Sequence, residues 1–146
     1  MPTPIKQFQV TFDCANPPER LARFWCELLG YEIPAPPKGF ATWQDYDRSL
    51  LPVHQGEGFA CVDPTGVGPR LYFQRVPEDK TVKNRVHLDV RVATGLTGEE
   101  RLAALEAECA RLTALGATRV RLLRADADYE SCIVMRDIEG NEFCLD

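Results

Sequence analysis

One pattern occurs twice in this 146-residue chain: an alternating strand, an amphipathic helix, then short strands that end around an Asp-x-x-Gly turn. Gln7-Phe8-Gln9-Val10-Thr11-Phe12 lines up with Arg85-Val86-His87-Leu88-Asp89-Val90. The turn Asp63–Gly66 lines up with Asp137–Gly140, and Leu71-Tyr72-Phe73-Gln74 with Asn141-Glu142-Phe143-Cys144. Such a repeat means two similar modules packed together, spanning about residues 5–76 and 84–146 of a single domain.

The elements follow from periodicity. Phe8, Val10 and Phe12 alternate with Gln7, Gln9, Thr11 and Asp13, the mark of a half-buried strand over Ile5–Asp13. Asn16 offers an N-cap, Pro17 suits the first helical position, and Glu19 stands three residues after the cap. Leu21, Phe24, Trp25, Leu28 and Leu29 then form one helical stripe, stopped by Gly30. Tyr31–Ile33 reads as a short strand ended by Pro34, Pro36 and Pro37. Phe40, Trp43, Asp47 and Leu50 fit a short helix, although the alternation through Phe40–Tyr46 also permits a strand. Strands are expected at Gly58–Val62, Arg70–Arg75, Arg85–Val92, Thr118–Arg124, Cys132–Arg136 and Glu142–Leu145. Thr97 and Glu100 suggest a capping box before the stripe Leu102, Leu105, Cys109, Leu112 and Leu115, with Gly116 at the stop.

Composition narrows the function classes. With 45% hydrophobic residues the chain has material for a core, which excludes disorder as its main state. A net charge of −5 argues against general nucleic-acid binding. No apolar run approaches the roughly 18 residues of a membrane span. The opening Met1-Pro2-Thr3-Pro4-Ile5-Lys6 does not read as a signal peptide. Cys14, Cys26, Cys61, Cys109, Cys132 and Cys144 include no CxxC pair and no short cluster. A disulfide framework or a structural zinc site would want other spacings, so a reducing, cytoplasmic setting is expected, with most of these thiols as small core side chains.

Three segments carry a family resemblance. Phe24-Trp25-Cys26-Glu27-Leu28-Leu29-Gly30-Tyr31 resembles the FYxxxLGF segment of the vicinal oxygen chelate superfamily. Asp137-Ile138-Glu139-Gly140-Asn141-Glu142-Phe143 resembles its DPDGN final hairpin, and Lys80–Asp89 looks like the signature of the glyoxalase-like subgroup. That superfamily includes glyoxalase I, extradiol dioxygenases, fosfomycin-modifying enzymes, methylmalonyl-CoA epimerase and metal-free bleomycin-binding proteins. The resemblance implies an α+β fold of two tandem βαβββ modules, whose curled mixed sheets form a cleft. It also implies a homodimer and a small-molecule ligand.

Candidate site residues come from the polar strand faces, since residues two apart share a face. One face offers Gln9, then Tyr72 and Gln74; the other module offers Arg85, His87, Asp89, Glu142 and Cys144. Alternation alone equally describes one-sided sheets facing water. In the family's metal enzymes each module supplies one ligand from its first strand and one from its last, which falls here on Gln9, Gln74, His87 and Cys144. His87 suits a divalent zinc, iron, nickel or manganese ion, and Gln9 and Cys144 complete a partial set. Gln74 and Cys144 depart from the family's carboxylates, and that departure favours metal-free binding. His87 is the first candidate for a general base and Glu142 the second. Cys144 as a nucleophile would need a lowered pKa; otherwise it is a buried thiol. Lys83 and Arg85, beside Lys80, can hold an anionic group, and Asp89 can bond His87. Trp43, with Phe40 and Tyr46, can wall a ligand pocket or simply pack its own segment. Two functions follow: a lyase, isomerase or dioxygenase acting on a small oxygen-rich substrate at His87, or a metal-free protein that sequesters an antibiotic-type molecule.

Overall fold

Which face of each strand is apolar decides where each helix docks. The computed structural model describes all 146 residues, and the chain divides into two compact units, Met1–Asp79 and Lys80–Asp146.

In the first unit, β1 (Gln9–Cys14) is followed by α1 (Pro18–Leu29), the short α2 (Trp43–Ser49), β2 (Gly58–Cys61) and β3 (Arg70–Arg75). Its sheet has the order β1-β3-β2, with β1 parallel and β2 antiparallel to β3. Register places Phe73 between Phe12 and Phe59. This apolar face receives the stripe of α1: Phe12 stacks on Trp25 at 5.0 Å and meets Phe73 at 5.3 Å. Leu21, Phe24, Trp25 and Leu28 are buried, as the helical spacing requires. Gly30 ends α1 in the left-handed region, at φ 73°, where a side chain would be strained.

The second unit holds β4 (Asp89–Val90), α3 (Gly98–Ala114), β5 (Thr118–Leu123), β6 (Cys132–Arg136) and β7 (Glu142–Leu145). The sheet order is β4-β7-β6-β5, again with one parallel pair, β4 and β7. Leu105, Cys109 and Leu112 of α3 are buried with Ile133, Met135, Phe143 and Leu145 of the sheet. Two mixed sheets and three α-helices make this an α+β protein of tandem modules.

Several expected boundaries shift for identifiable reasons. The first strand begins at Gln9, and Phe8 is left 68% exposed. The strand expected over Arg85–Val92 is laddered only at Asp89–Val90, flanked by single bonds from Cys144 N–H to Leu88 O and from Val92 N–H to Asp146 O. Val86 is 78% exposed, because an alternating pattern without a pairing partner has nothing to hold it extended. Tyr31–Ile33 contributes one bridge, Glu32 to Val62, since the prolines that follow cannot donate to a ladder. The N-cap of α1 is Pro17 rather than Asn16, and neither Pro17 nor Thr97 makes a side-chain cap bond. Residues 43–49 are helical; Thr42 caps them by accepting from Asp45 N–H at 3.0 Å. Leu115 falls outside the core, whereas Arg101 of α3 is buried. Its guanidinium donates to Ser131 O at 2.8 and 3.0 Å and to Ala93 O at 3.3 Å, tying the helix to the ends of two strands.

Candidate functional site

The sheet faces turned away from α1 and α3 carry the polar side chains, and the candidate residues divide between the two units. Gln9, Trp43, Tyr72 and Gln74 belong to the first; Lys83, Arg85, His87, Asp89, Glu142 and Cys144 belong to the second.

In the second unit the parallel pairing of β4 and β7 sets Asp89 opposite Cys144. His87, two residues before Asp89, turns its Nε2 to 3.2 Å from Asp89 Oδ1. Ligand atoms of His87, Asp89 and Cys144 all lie within 4.8 Å of one another. His87 and Asp89 are exposed and Cys144 is half-buried. Burial, the neighbouring Cys132 and the charge of Asp89 push the Cys144 thiol up to about 11. With no ion bound it is therefore a protonated thiol opposite Asp89 rather than a nucleophile.

The fit to a divalent ion can be judged from these donors. One imidazole, one carboxylate and one thiol are all ligands of zinc, and donors about 2.0–2.3 Å from one ion stand roughly 3.3–3.8 Å apart in a tetrahedron. The 4.8 Å spread closes with side-chain rotation, and two of the three side chains are exposed and free to move. The donor set fits.

Glu142 sits on the same strand as Cys144 but is otherwise engaged. Its carboxylate takes Lys80 Nζ at 2.9 Å and Asn84 N–H at 3.1 Å. Desolvation would raise its pKa, but the Lys80 and Asn84 bonds outweigh that and hold it down at about 2. A carboxylate this acidic is a poor proton acceptor at neutral pH. Its visible role is to anchor the loop that carries Lys80, Lys83 and Arg85. Lys83 and Arg85 are exposed on that loop.

In the first unit Gln9 is also engaged: its side chain accepts from Arg70 and donates to Thr11 Oγ1 at 3.3 Å. Gln74 is exposed, and its carbonyl accepts the Cys14 thiol. Trp43 and Tyr72 line a cavity of about 560 Å³, together with Tyr46, Phe59, Arg70 and Arg75. Trp43 packs against Tyr46 and Phe59, and its indole N–H donates to Pro34 O at 2.7 Å. Arg70 lies over the Tyr72 ring at 5.7 Å. Gly58 leaves room for that ring, because a Cβ there would meet Tyr72 Oη at 1.8 Å.

Sequence reasoning missed Cys132. Antiparallel pairing sets Val134 opposite Cys144, so Cys132 is the diagonal neighbour on the same face. The alternation Cys132, Val134, Arg136 contained that signal, but the partner strand and its register did not follow from alternation.

Tandem α+β modules with mixed sheets and polar open faces define the class. Comparison with solved structures supports it. A fosfomycin resistance protein, FosX, from Mesorhizobium loti aligns with a TM-score of 0.61 at 12% identity, over 99% of this chain and 91% of that one. A glyoxalase/bleomycin resistance protein/dioxygenase family enzyme from Burkholderia phytofirmans aligns with a TM-score of 0.58 at 13% identity, over 94% of each chain. FosX from Listeria monocytogenes, a mutant complexed with Mn(II) and 1S,2S-dihydroxypropylphosphonic acid, aligns with a TM-score of 0.60 at 11% identity, over 99% and 90% of the two chains. A search of the curated proteins finds no match. The family model for the glyoxalase-like domain matches residues 9–145, and the chain belongs to that family. No helix is long and apolar enough to cross a membrane.

Proposed function

We propose that this chain is a glyoxalase-like enzyme acting on a small oxygen-rich substrate at the β4–β7 face of its second unit. The observation that carries the reading is the convergence of His87, Asp89 and Cys144 within 4.8 Å. These residues would hold a divalent ion with a position left for a substrate oxygen, which the ion would polarise as a Lewis acid. Asp89 Oδ1, 3.2 Å from His87 Nε2, also places a negative charge beside the imidazole. Lys83 and Arg85 supply positive charge for an anionic substituent, on a loop held by the Lys80–Glu142 pair. The Mn(II) and dihydroxylated phosphonate in the Listeria FosX structure show the ligand chemistry of one relative with this fold. Lyase, isomerase and dioxygenase reactions all use this kind of oxygen coordination.

The test is elemental mass spectrometry of the purified, untagged protein beside a His87→Ala variant. About one transition metal per chain, lost in the variant, is the expected result. No metal in either protein would sink the reading.

A second reading rests on the first-unit cavity. Its aromatic wall of Trp43, Tyr46, Phe59 and Tyr72 suits sequestration of an organic ligand without chemistry. Saturable binding in a small-molecule thermal-shift screen, with ligand recovered unchanged from metal-free protein, would select it. With either reading we propose a homodimer, as the family resemblance implies, in the reducing cytoplasm that six free thiols suit.

A further inference from the structure

We infer that the first-unit cavity takes a flat aromatic acid, its ring against the aromatic wall and its carboxylate on Arg70. The inference rests on the second reading above and adds to it the chemical class of the ligand.

Three observations carry it. Trp43, Tyr46, Phe59 and Tyr72 are all half-buried, so each leaves ring surface open where the four line one cavity. The Trp43 indole N–H is already given to Pro34 O at 2.7 Å, which leaves the ring rather than its polar edge for a ligand. At about 560 Å³ the cavity has the size of a small-molecule site.

The carboxylates of the wall, in contrast, each hold a donor already. Glu57 Oε2 takes His54 Nδ1 at 2.8 Å, Asp47 Oδ1 takes Gly56 N–H at 2.8 Å, and Glu19 pairs with Arg23 at 3.3 Å. No carboxylate reaches Arg70, which is held by the neutral amide oxygen of Gln9. The chain as a whole carries a net charge of −5, so an anion is attracted here by this wall and not by the protein at large.

Finally, the Arg70 guanidinium lies over the Tyr72 ring, 5.7 Å from its centroid. Its planar fork of N–H groups matches a carboxylate in bidentate geometry. A carboxylate borne directly on an aromatic ring lies near the plane of that ring. One flat molecule therefore meets both the stacked rings and the fork.

The experiment is isothermal titration calorimetry of the full chain with three probes: 2-naphthoate, its neutral isostere 2-naphthamide, and the non-aromatic anion cyclohexanecarboxylate. Saturable binding of 2-naphthoate, about one per chain, is expected, with 2-naphthamide about 10–100-fold weaker for want of the charge-assisted bonds. Cyclohexanecarboxylate should bind more weakly than 2-naphthoate, because it cannot stack. Arg70→Met should remove the preference for naphthoate over naphthamide, and Trp43→Leu should weaken both aromatic probes. Arg119→Gln, which removes one positive charge from the second unit, should change nothing. A thermal melt of each variant identifies any that fails to fold, and the comparison of probes on the wild type needs no variant.

Equal binding of 2-naphthoate and 2-naphthamide would overturn the acid assignment and leave the sequestration reading standing. A preference for naphthoate that survives Arg70→Met would overturn it too. Absence of naphthoate binding would end this inference, while binding of some other compound in the thermal-shift screen would still support sequestration.

Discussion

Asp89 Oδ1 lies 3.2 Å from His87 Nε2, a contact between residues two apart at the start of a strand laddered for only two residues. The carboxylate is the charge neighbour of the ring. The nitrogen and proton NMR shifts of the His87 imidazole should therefore move in Asp89→Ala. Unmoved shifts in the variant would show that the two side chains do not meet in solution.

The Glu142 carboxylate gives a stability signature with a definite sign. Its pKa falls from 4.5 in the unfolded chain to about 2 in the folded one. A depressed folded pKa contributes stability above the unfolded value, and that contribution is lost as pH falls toward 2. Glu142→Gln should lower unfolding stability at pH 7 by roughly 1–2 kcal/mol, allowing for solvent screening. The gap to wild type should shrink steadily below pH 4.5 in urea melts. A gap that does not depend on pH would rule out the Lys80–Glu142 pair as its source.

Arg101 is the buried cation of α3, and the carbonyls it serves lie outside that helix, Ala93 between β4 and α3 and Ser131 just before β6. Arg101→Met keeps much of the apolar stem but leaves Ser131 O without its donor, while Ala93 O keeps Leu96 N–H at 3.0 Å. A loss of about 2–4 kcal/mol is expected, measured by chemical denaturation. Arg101→Lys should recover little, because an ammonium lacks the planar fork that reaches both carbonyls. Full rescue by lysine would contradict the forked geometry.

Gly58 is required by Tyr72. Gly58→Ala places a methyl where the Tyr72 hydroxyl end lies, so the ring must move or the strands must part. The expected cost is about 1–3 kcal/mol in a thermal or urea melt. In a Tyr72→Ala background the same substitution should cost far less. Equal costs in both backgrounds would show that the ring is not the obstacle.

A homodimer predicts a solution mass near twice the 16.4 kDa of the chain by light scattering. A monomer mass across the accessible concentration range would remove it.

Local chemistry determined much of this fold before any tertiary contact is considered. The stripe Leu21, Phe24, Trp25, Leu28 and the stop at Gly30 specify α1, because helical spacing and a left-handed terminus are properties of neighbouring residues. The alternation in β1, β3, β6 and β7 likewise decided which face of each strand is apolar, and the repeated turns marked two modules. The composition of the site was legible in the same way: His87, Asp89 and Cys144 all stand on polar strand positions. Alternation could not show how far a strand extends, since Arg85–Leu88 alternates as well as β1 yet has no ladder. It also could not show that Asp89 faces Cys144, that Cys132 lies diagonal to Cys144, or that Lys80 occupies Glu142. Those are relations of register and of charge between segments as far apart as residues 80 and 142. Only the folded sheet, by pairing specific residues across its strands, brings such groups within bonding distance.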